Sequence, residues 1–348
     1  MACSVNFNKK SIIFITGASK GIGRTIAVEL SRRLDQNSIL ILIARSVKGL
    51  DETKAQILMV DKSITVQTHA LDLSNPDLND YNKLFQNILA SIDTSGIEFG
   101  FIFHNAGHIG TLKQTIDLTD LTTWREYYDL NLFSVALLNS VFIKQIRPVA
   151  PQLVIVNITS LCGRSPTLNL AMYGSGKAAR ELFFKVLAVE EPKIIVLNYS
   201  PGPVKTEMFE SIIAEAQSEV LKKSFQEVKD TTVLSTEQTV SKLLDVLEKG
   251  DFKTDTYSEM SPLMFLLNLA WDCRYRLPLL ITVGFMVLDV RMQLDINVQT
   301  RRIPRPRTQP RPLPEQPVNH EDDIREDDIS DDSWTTTAEE TVTDLEEY

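Results

Sequence analysis

A tyrosine and a lysine four residues apart are the side chains of this sequence best suited to acid–base chemistry. Tyr173 and Lys177 fall on one face of a predicted helix, one turn from each other. A phenol with its pKa near ~10 transfers protons poorly at neutral pH, and a nearby ammonium lowers that pKa. Ser160 lies thirteen residues before Tyr173 and could hold a carbonyl oxygen while the tyrosine protonates it. The alternative is an ordinary pair of side chains on a helix surface.

Apolar runs that alternate with helical segments predict the fold that would position these residues. The runs are residues 11–16, 38–44, 64–70, 99–103, 153–156 and 193–199. Runs that are apolar on both faces are typical of a parallel sheet covered by helices on both sides. We therefore predict an α/β fold, with a single Rossmann-like, doubly wound sheet of about seven strands. Ligands of such sheets bind beyond the carboxyl ends of the strands.

A glycine-rich turn follows the first predicted strand and opens a helix. Its spacing is G-x-x-x-G-x-G, which differs from the G-x-G-x-x-G of the standard dinucleotide fingerprint. Backbone N–H groups and the helix dipole at such a turn suit a pyrophosphate. A turn without a ligand is the alternative, but the strand before it and the helix after it favour nucleotide binding. The predicted binding residues are Gly17, Ala18, Ser19, Lys20, Gly21, Ile22 and Gly23.

Two residues after the second predicted strand indicate which nucleotide is bound. Arg45 and Ser46 stand where a doubly wound fold meets the adenosine ribose. An acid there would bind a free 2′-hydroxyl, whereas arginine suits a 2′-phosphate. With Lys20 as a second cation, the sequence favours NADP(H) over NAD(H), although two solvated surface cations are the alternative. Leu71 and Asp72 follow the third strand. Asp72 could accept a hydrogen bond from the adenine amino group, or it could cap the next helix.

Two helical segments follow the sixth strand. Residues 208–228 form an amphipathic pattern that could close over a substrate as a lid. Residues 236–248 predict a further helix that ends at Gly250.

Composition limits the classes of function. The 348 residues carry a net charge of −10, but thirteen acidic residues and one arginine fall after residue 320, so the rest is close to neutral. This distribution argues against nucleic-acid binding by the body. Three scattered cysteines suit reduced thiols in the cytoplasm. The four histidines show no metal-ligand spacing, and residues 1–10 show no secretory signal, so we expect neither a metal nor secretion.

The chain after residue 260 differs in character from the part before it. We predict an NADP-binding domain over 8–260, an apolar extension over 261–292 and a tail over 293–348 that is first rich in proline and arginine and then acidic. The apolar stretches of 261–292 are shorter than the ~20 residues that span a bilayer and are separated by charges. Attachment to a membrane surface and packing onto the body or a partner are both open. The tail lacks the apolar residues to fold alone.

Taken together, these motifs resemble the short-chain dehydrogenase/reductase family. The matching segments are TGASKGIG (16–23), HNAG (104–107), Asn131, Ser160, YGSGK (173–177) and PGPVKT (201–206), in that family's order and approximate spacing. The resemblance implies that Lys177 holds the nicotinamide ribose and lowers the pKa of Tyr173, and that Asn131 supports Lys177 through a water. It also implies cofactor contacts from Asn105, Ala106, Gly107, Val204, Lys205, Thr206, Glu207, Met208 and Phe209, and a homodimer. His104 departs from the asparagine of many members.

Longer segments are similar to the sepiapterin reductase group within that family. They include VNITSLCGRSP (156–166) and the stretch from Met172 to Pro192. The resemblance implies a pterin substrate, contacted by Ser160, Leu161, Tyr173 and Gly202, with a C-terminal acid that anchors the ring. Glu259 aligns with that acid, where the group usually carries aspartate. A surface glutamate without a ligand is the alternative.

The sequence thus leads to a main hypothesis and two alternatives. The main hypothesis is an NADPH-dependent carbonyl reductase that reduces side-chain carbonyls of a pterin in tetrahydrobiopterin biosynthesis. The first alternative is a short-chain reductase of another small ketone or dicarbonyl. The second is an NADPH-binding interaction protein tethered through its C-terminus. An intact Ser160, Tyr173 and Lys177 argue against the second alternative.

Overall fold

Seven parallel strands form the centre of the computed structural model, which describes residues 4–61, 63–250, 252 and 257–259. The strands are β1 Ser11–Thr16, β2 Ile39–Ala44, β3 Thr65–Ala70, β4 Phe99–His104, β5 Gln152–Ile158, β6 Ile195–Ser200 and β7 Tyr257–Glu259. Their order across the sheet is β3-β2-β1-β4-β5-β6-β7, with every pair parallel. Strands β2 and β3 are added on one side of β1, and β4 to β7 on its other side. Doubly wound folds bind their ligands at this point between β1 and β4. The predicted fold class is confirmed.

Nine α-helices occur among the described residues. They are α1 Gly21–Ser31, α2 Val47–Val60, α3 Leu78–Ala90, α4 Leu121–Tyr128, α5 Ser134–Ile146, α6 Ala171–Glu190, α7 Glu207–Glu215, α8 Glu219–Thr231 and α9 Thr236–Lys249. Alternate residues of β1 point to opposite faces of the sheet. Ile13 and Ile15 pack with α1, α2 and α9, whereas Ile12 and Phe14 pack with α3, α5 and α6. The core therefore consists of two apolar layers, one on each face of the sheet.

The edge strands differ from the expectation that every strand is apolar throughout. In β3 only Val66 is buried, the three residues after it are half-buried and the two end residues are exposed. This strand lies at the edge of the sheet and pairs with β2 alone. β7 has only three residues, which is too short to register as an apolar run. It extends the sheet beyond β6 at the opposite edge.

The helical stretch around Asn131 and the predicted lid segment are both interrupted. The stretch 122–146 consists of α4 and α5 joined by a π-helical turn, Asp129–Phe133, which contains Asn131. The predicted lid segment is helical but breaks between α7 and α8. The end of α9 is confirmed at Gly250, which adopts a φ of 65°, the left-handed conformation that glycine tolerates best.

The predictions for the extension, 261–292, and for the tail, 293–348, lie outside the described residues. Of the helices that are described, none combines the length and the apolarity that crossing a membrane requires.

Candidate active site

A cavity of about 150 Å³ opens beyond the carboxyl ends of β4, β5 and β6 and is covered by α7 and α8. It brings together many of the residues singled out in the sequence: Ile22, Asn105, Gly107, Asn131, Ser160, Leu161, Tyr173, Lys177, Gly202, Val204, Thr206, Met208 and Phe209. They come from six different loops and helix starts, so the fold rather than the local sequence assembles them. The side chains predicted for proton transfer and those predicted for nucleotide contact therefore line one cavity.

Ser160, Tyr173 and Lys177 converge from β5 and α6. Ser160 follows β5 and caps the short 3₁₀ helix Leu161–Gly163, where its Oγ accepts from the Cys162 N–H at 3.2 Å. Tyr173 and Lys177 lie in the first two turns of α6, on one face. The Lys177 Nζ donates to the Ile158 carbonyl at 2.7 Å and lies 5.6 Å from the centroid of the Tyr173 ring. The lysine is thus fixed between the end of β5 and the tyrosine.

Burial dominates the electrostatics of this pair. It raises the pKa of Tyr173 well above its usual value, and the nearby Cys162 adds to that rise. The Ser160 hydroxyl and the Arg180 guanidinium oppose the rise by favouring the phenolate. Burial, and then the charge of Arg180, hold the pKa of Lys177 well below its usual value. Of the two groups that lower the pKa of Tyr173, the Ser160 hydroxyl has the larger effect and the charge of Arg180 the smaller one. The lowering of that pKa by Lys177 stays a prediction.

Asn131 lies in the π-helical turn and fixes the loop after β4. Its Nδ2 donates to the Tyr127 carbonyl at 2.9 Å, and its Oδ1 accepts from the His108 N–H at 3.1 Å. A Cβ on Gly107 would lie 2.6 Å from that Oδ1, so the loop passes as closely as glycine allows. π-turns of this kind recur at functional sites. Asn131 and Lys177 line the same cavity, and the water-mediated relay between them stays a prediction.

The glycine turn has the features that a pyrophosphate requires. The helix α1 begins without a side-chain cap, so the backbone N–H groups of its first turn have no side-chain acceptor. A Cβ on Gly23 would lie 2.3 Å from the Gly17 carbonyl oxygen, so that position requires glycine for the helix to approach the turn. Asn105 Nδ2 donates to the Thr16 and Gly17 carbonyls at 3.0 and 3.4 Å and ties the turn to the loop after β4. These residues fit a dinucleotide.

Arg45 and Asp72 lie at the carboxyl ends of β2 and β3. The Arg45 side chain is exposed just after β2, where it can meet a ribose phosphate. The Asp72 carboxylate accepts from the Ser74 N–H and Oγ at 3.0 and 2.8 Å. These bonds, the backbone one first, lower the pKa of Asp72, and Arg45 adds to the effect. Asp77 caps α3, so the interpretation of Asp72 as a helix cap is wrong.

The other predicted nucleotide residues lie around the cavity rather than on its wall. Ser46 caps α2, and Lys20 forms an ion pair with Glu207. The remaining members occupy the turns after β1, β3, β4 and β6 and the first turn of α1: Gly17, Ala18, Ser19, Gly21, Gly23, Leu71, Ala106 and Lys205. These residues therefore lie together at the carboxyl ends of the strands, as a bound dinucleotide requires.

Comparison with known protein families gives the class of the protein. Residues 11–217 match the family model of the short chain dehydrogenases. This chain is a short-chain dehydrogenase. The match covers more than half of the chain and includes the glycine turn, Ser160, Tyr173 and Lys177. The predicted family and the predicted class of oxidoreductase are confirmed.

Relatives of this short-chain dehydrogenase include enzymes that act on two kinds of carbonyl. It is 32% identical to the sepiapterin reductase of Bos taurus over 255 residues, which cover 71% of this chain and 93% of the relative. It is 28% identical over 245 residues to the benzil reductase of Bacillus subtilis, with 69% and 94% covered. A crystal structure from Escherichia coli, described as a short chain dehydrogenase complexed with NADPH, matches with a TM-score of 0.60 at 23% identity. That alignment covers 74% of this chain and 99% of the other.

Several cavity residues of this short-chain dehydrogenase were not predicted from the sequence. They are mostly apolar: His108, Ile109, Cys162, Leu170, Ile212 and Phe225. Ile212 and Phe225 belong to the apolar face of the lid segment, so the amphipathic pattern could have indicated them. His108 and Leu170 come from irregular loops whose path no periodicity reveals. The cavity beyond Tyr173 is consequently more apolar than the motifs alone indicate.

The last predicted substrate residue lies at the edge of the sheet. The backbone of Glu259 pairs with Ser200, at the carboxyl end of β6 and next to the loop that carries Gly202. The Glu259 side chain lies outside the part of the chain that the structure describes. Within the described part of the chain, no group of histidine, cysteine, aspartate or glutamate side chains could hold a metal ion.

Proposed function

We propose that this short-chain dehydrogenase is an NADPH-dependent carbonyl reductase with Tyr173 as the proton donor. The observation that carries the proposal is the convergence of Ser160, Tyr173 and Lys177 on one cavity next to the uncapped start of α1. Arg45 would hold the 2′-phosphate, and the turn of residues 17–23 the pyrophosphate.

The side chains divide the reaction between them. The bound nicotinamide supplies a hydride to the carbonyl carbon. Ser160 donates a hydrogen bond to the substrate oxygen and orients it, while Tyr173 transfers its proton to that oxygen and becomes a phenolate. Lys177 would hold the nicotinamide ribose from its position at the Ile158 carbonyl. Asn131 holds the loop of His108 against the cavity.

For the substrate, we propose a pterin with a carbonyl in its side chain. The support is the 32% identity to a sepiapterin reductase over most of both chains and the backbone of Glu259 beside Ser200. A carboxylate at Glu259 would accept from the N–H groups of a pterin ring. Such an activity belongs to tetrahydrobiopterin biosynthesis, and the unpatterned cysteines suit the cytoplasm.

An apolar aromatic diketone is the second candidate substrate. Among the described residues, no carboxylate side chain lines the cavity, and its apolar lining includes Ile109, Leu170, Ile212 and Phe225. The benzil reductase relative acts on such a compound by its name. The two candidates share the chemistry of Tyr173 and differ in the need for Glu259.

The experiment is a comparison of sepiapterin and benzil, each with NADPH. We expect sepiapterin to be reduced with the higher kcat/KM, and Glu259→Gln to lower that value while leaving benzil reduction unchanged. A preference for benzil, with no effect of Glu259→Gln on sepiapterin, contradicts the pterin proposal. No oxidation of NADPH with either compound, or with other ketones, contradicts the reductase proposal itself.

We also propose that the protein is a homodimer that pairs through α6. Leu182, Val186 and Val189 lie at helical spacing on the outer face of α6 and are 64%, 47% and 76% exposed. Apolar side chains aligned on an exposed helix face mark a surface for association. A two-fold pairing would place this stripe of each copy against the same stripe of the other.

A further inference from the structure

Arg180 is fully buried beneath the proposed active site. It continues the helix face of Tyr173 and Lys177, seven and three residues further along α6. Its exposure is 0%, which is rare for an arginine without a compelling reason. The face of α6 that carries the proposed proton donor thus ends in a buried cation.

The guanidinium joins α6 to two strands through three hydrogen bonds. Nε donates to the Asn157 Oδ1 at 3.0 Å, Nη2 to the His104 carbonyl at 2.6 Å and Nη1 to the Ala106 carbonyl at 3.2 Å. His104 and Ala106 bracket Asn105, which ties the loop after β4 to the glycine turn. Arg180 therefore fixes the helix of Tyr173 against the loop that borders the cofactor side of the cavity.

All three acceptors of Arg180 are neutral. No ion pair involves this side chain in the part of the chain that the structure describes, and the adjacent Glu181 is paired with Arg164 and Lys185. Burial lowers the pKa of Arg180 to about 10, so the guanidinium keeps its charge at neutral pH. A buried charge without a counter-ion is costly, which makes its retention a reason to look for a function.

The ionisable groups that face Arg180 come from three elements. They are His104 at the end of β4, Tyr127 in α4, and Tyr173 and Lys177 in α6. Burial and the charge of Arg180 lower the pKa of His104 to about 3, so this ring is neutral and does not compensate the charge. Tyr127 is buried with its pKa raised, so it is neutral as well.

We propose that Arg180 is a positioning residue whose uncompensated charge stabilises the phenolate that Tyr173 becomes when it protonates the substrate. The proton passes from the Tyr173 hydroxyl to the substrate oxygen, and the guanidinium further along the same face of α6 stabilises the negative charge left on the phenol. The same charge disfavours protonation of Lys177. Removing the charge of Arg180 raises the proton affinity of both Tyr173 and Lys177. Both apparent pKa values of this pair are therefore expected to rise when Arg180 is replaced by a neutral residue.

This role rests on Tyr173 as the proton donor of the proposed reaction, but its test needs no substrate. The full chain is labelled with a polyfluorinated tyrosine, because ring fluorines make the phenol more acidic and bring the raised pKa of Tyr173 back toward an accessible pH range. Tyr173 is then titrated by ¹⁹F NMR after assignment by its loss in Tyr173→Phe. In Arg180→Met we expect the titration midpoint to move upward by about one pH unit or more. Arg180→Lys keeps the positive charge but loses the planar guanidinium and its three hydrogen bonds. The titration midpoint of Tyr173 in this variant therefore stays near that of the wild type.

A second pair of variants covers the case in which Arg180→Met does not fold. Asn157→Asp keeps the guanidinium and its Nε bond but places a negative charge against it, so the midpoint of Tyr173 rises as well. Asn157→Ala removes the same bond without a charge and leaves the midpoint unchanged. Equal midpoints in Asn157→Asp and Asn157→Ala, or a shift in Arg180→Lys as large as that of a neutral variant, overturn the proposal. A wild-type-like midpoint in folded Arg180→Met also overturns it, whatever substrate the enzyme reduces.

Discussion

Arg45 and Arg180 differ in what the sequence reveals about them. Arg45 follows a strand directly, so its position next to a nucleotide could be predicted from local order alone. Arg180 bonds to residues 23 to 76 positions away, and only the folded sheet brings His104 and Asn157 to it. The pair Tyr173 and Lys177 was predictable for the same local reason as Arg45, whereas the burial of Arg180 behind that pair was not.

Replacement of Arg45 tests the choice of cofactor. In Arg45→Asp we expect the ratio of kcat/KM with NADPH to that with NADH to fall on the order of 10- to 100-fold, because a hydrogen bond to a charged group contributes about 1.5–3 kcal/mol. Lys144→Asp is the matched control, since Lys144 is an exposed cation on α5. Steady-state kinetics with both cofactors measure the ratio. An unchanged ratio in Arg45→Asp, or an equal change in the control, argues against a 2′-phosphate contact.

Helices and strands were predictable where their periodicity is regular, and their interruptions were not. The apolar pattern of 122–146 continues through the π-turn at Asp129–Phe133, so the pattern alone does not separate α4 from α5. The turn that holds Asn131 is set by hydrogen bonds to Tyr127 and His108, which periodicity does not encode. The break between α7 and α8 has a similar origin, because the Asn169 side chain accepts from the Ser218 N–H across 49 residues.

The lid formed by α7 and α8 supplies a prediction about substrate affinity. Phe225 lines the cavity and packs on Phe209 with ring centroids 5.2 Å apart. In Phe225→Ala we expect KM for the carbonyl substrate to rise about tenfold, or ~1.4 kcal/mol, with NADPH affinity unchanged. Val220→Ala on the exposed side of α8 is the control and leaves both values unchanged. Unaltered KM in a folded Phe225→Ala enzyme would show that α8 does not contact the substrate.

At the scale of the whole molecule, the sheet and its two helical layers could be predicted from the sequence. The hydrophobic runs determine which segments become strands, and the right-handed crossovers of parallel sheets leave few arrangements for them. The short strand β7 could not be predicted, because three residues are too few to show a strand periodicity. The assembly of copies is also a property of the surface, and the exposed stripe on α6 becomes visible only once the buried face of that helix is known.

The stripe on α6 leads to a prediction about assembly. Val186→Glu places a charge in the centre of the proposed interface, so we expect the dimer to dissociate to monomers in sedimentation velocity at micromolar concentration. Met59→Glu is the control, because Met59 is a 78% exposed apolar residue on α2, away from the stripe. A Val186→Glu protein that sediments as the wild type does would rule out pairing through α6.

The proton donor is the centre of the account, and Tyr173→Phe tests it most directly. NADPH affinity and the rate of carbonyl reduction are measured on the same preparation, with Tyr128→Phe as the control for loss of a tyrosine hydroxyl outside the cavity lining. We expect Tyr173→Phe to bind NADPH within about twofold of the wild type and to lose roughly 10²- to 10⁴-fold in kcat, the usual contribution of a positioned acid. A Tyr173→Phe enzyme that reduces the carbonyl at the wild-type rate would contradict the account.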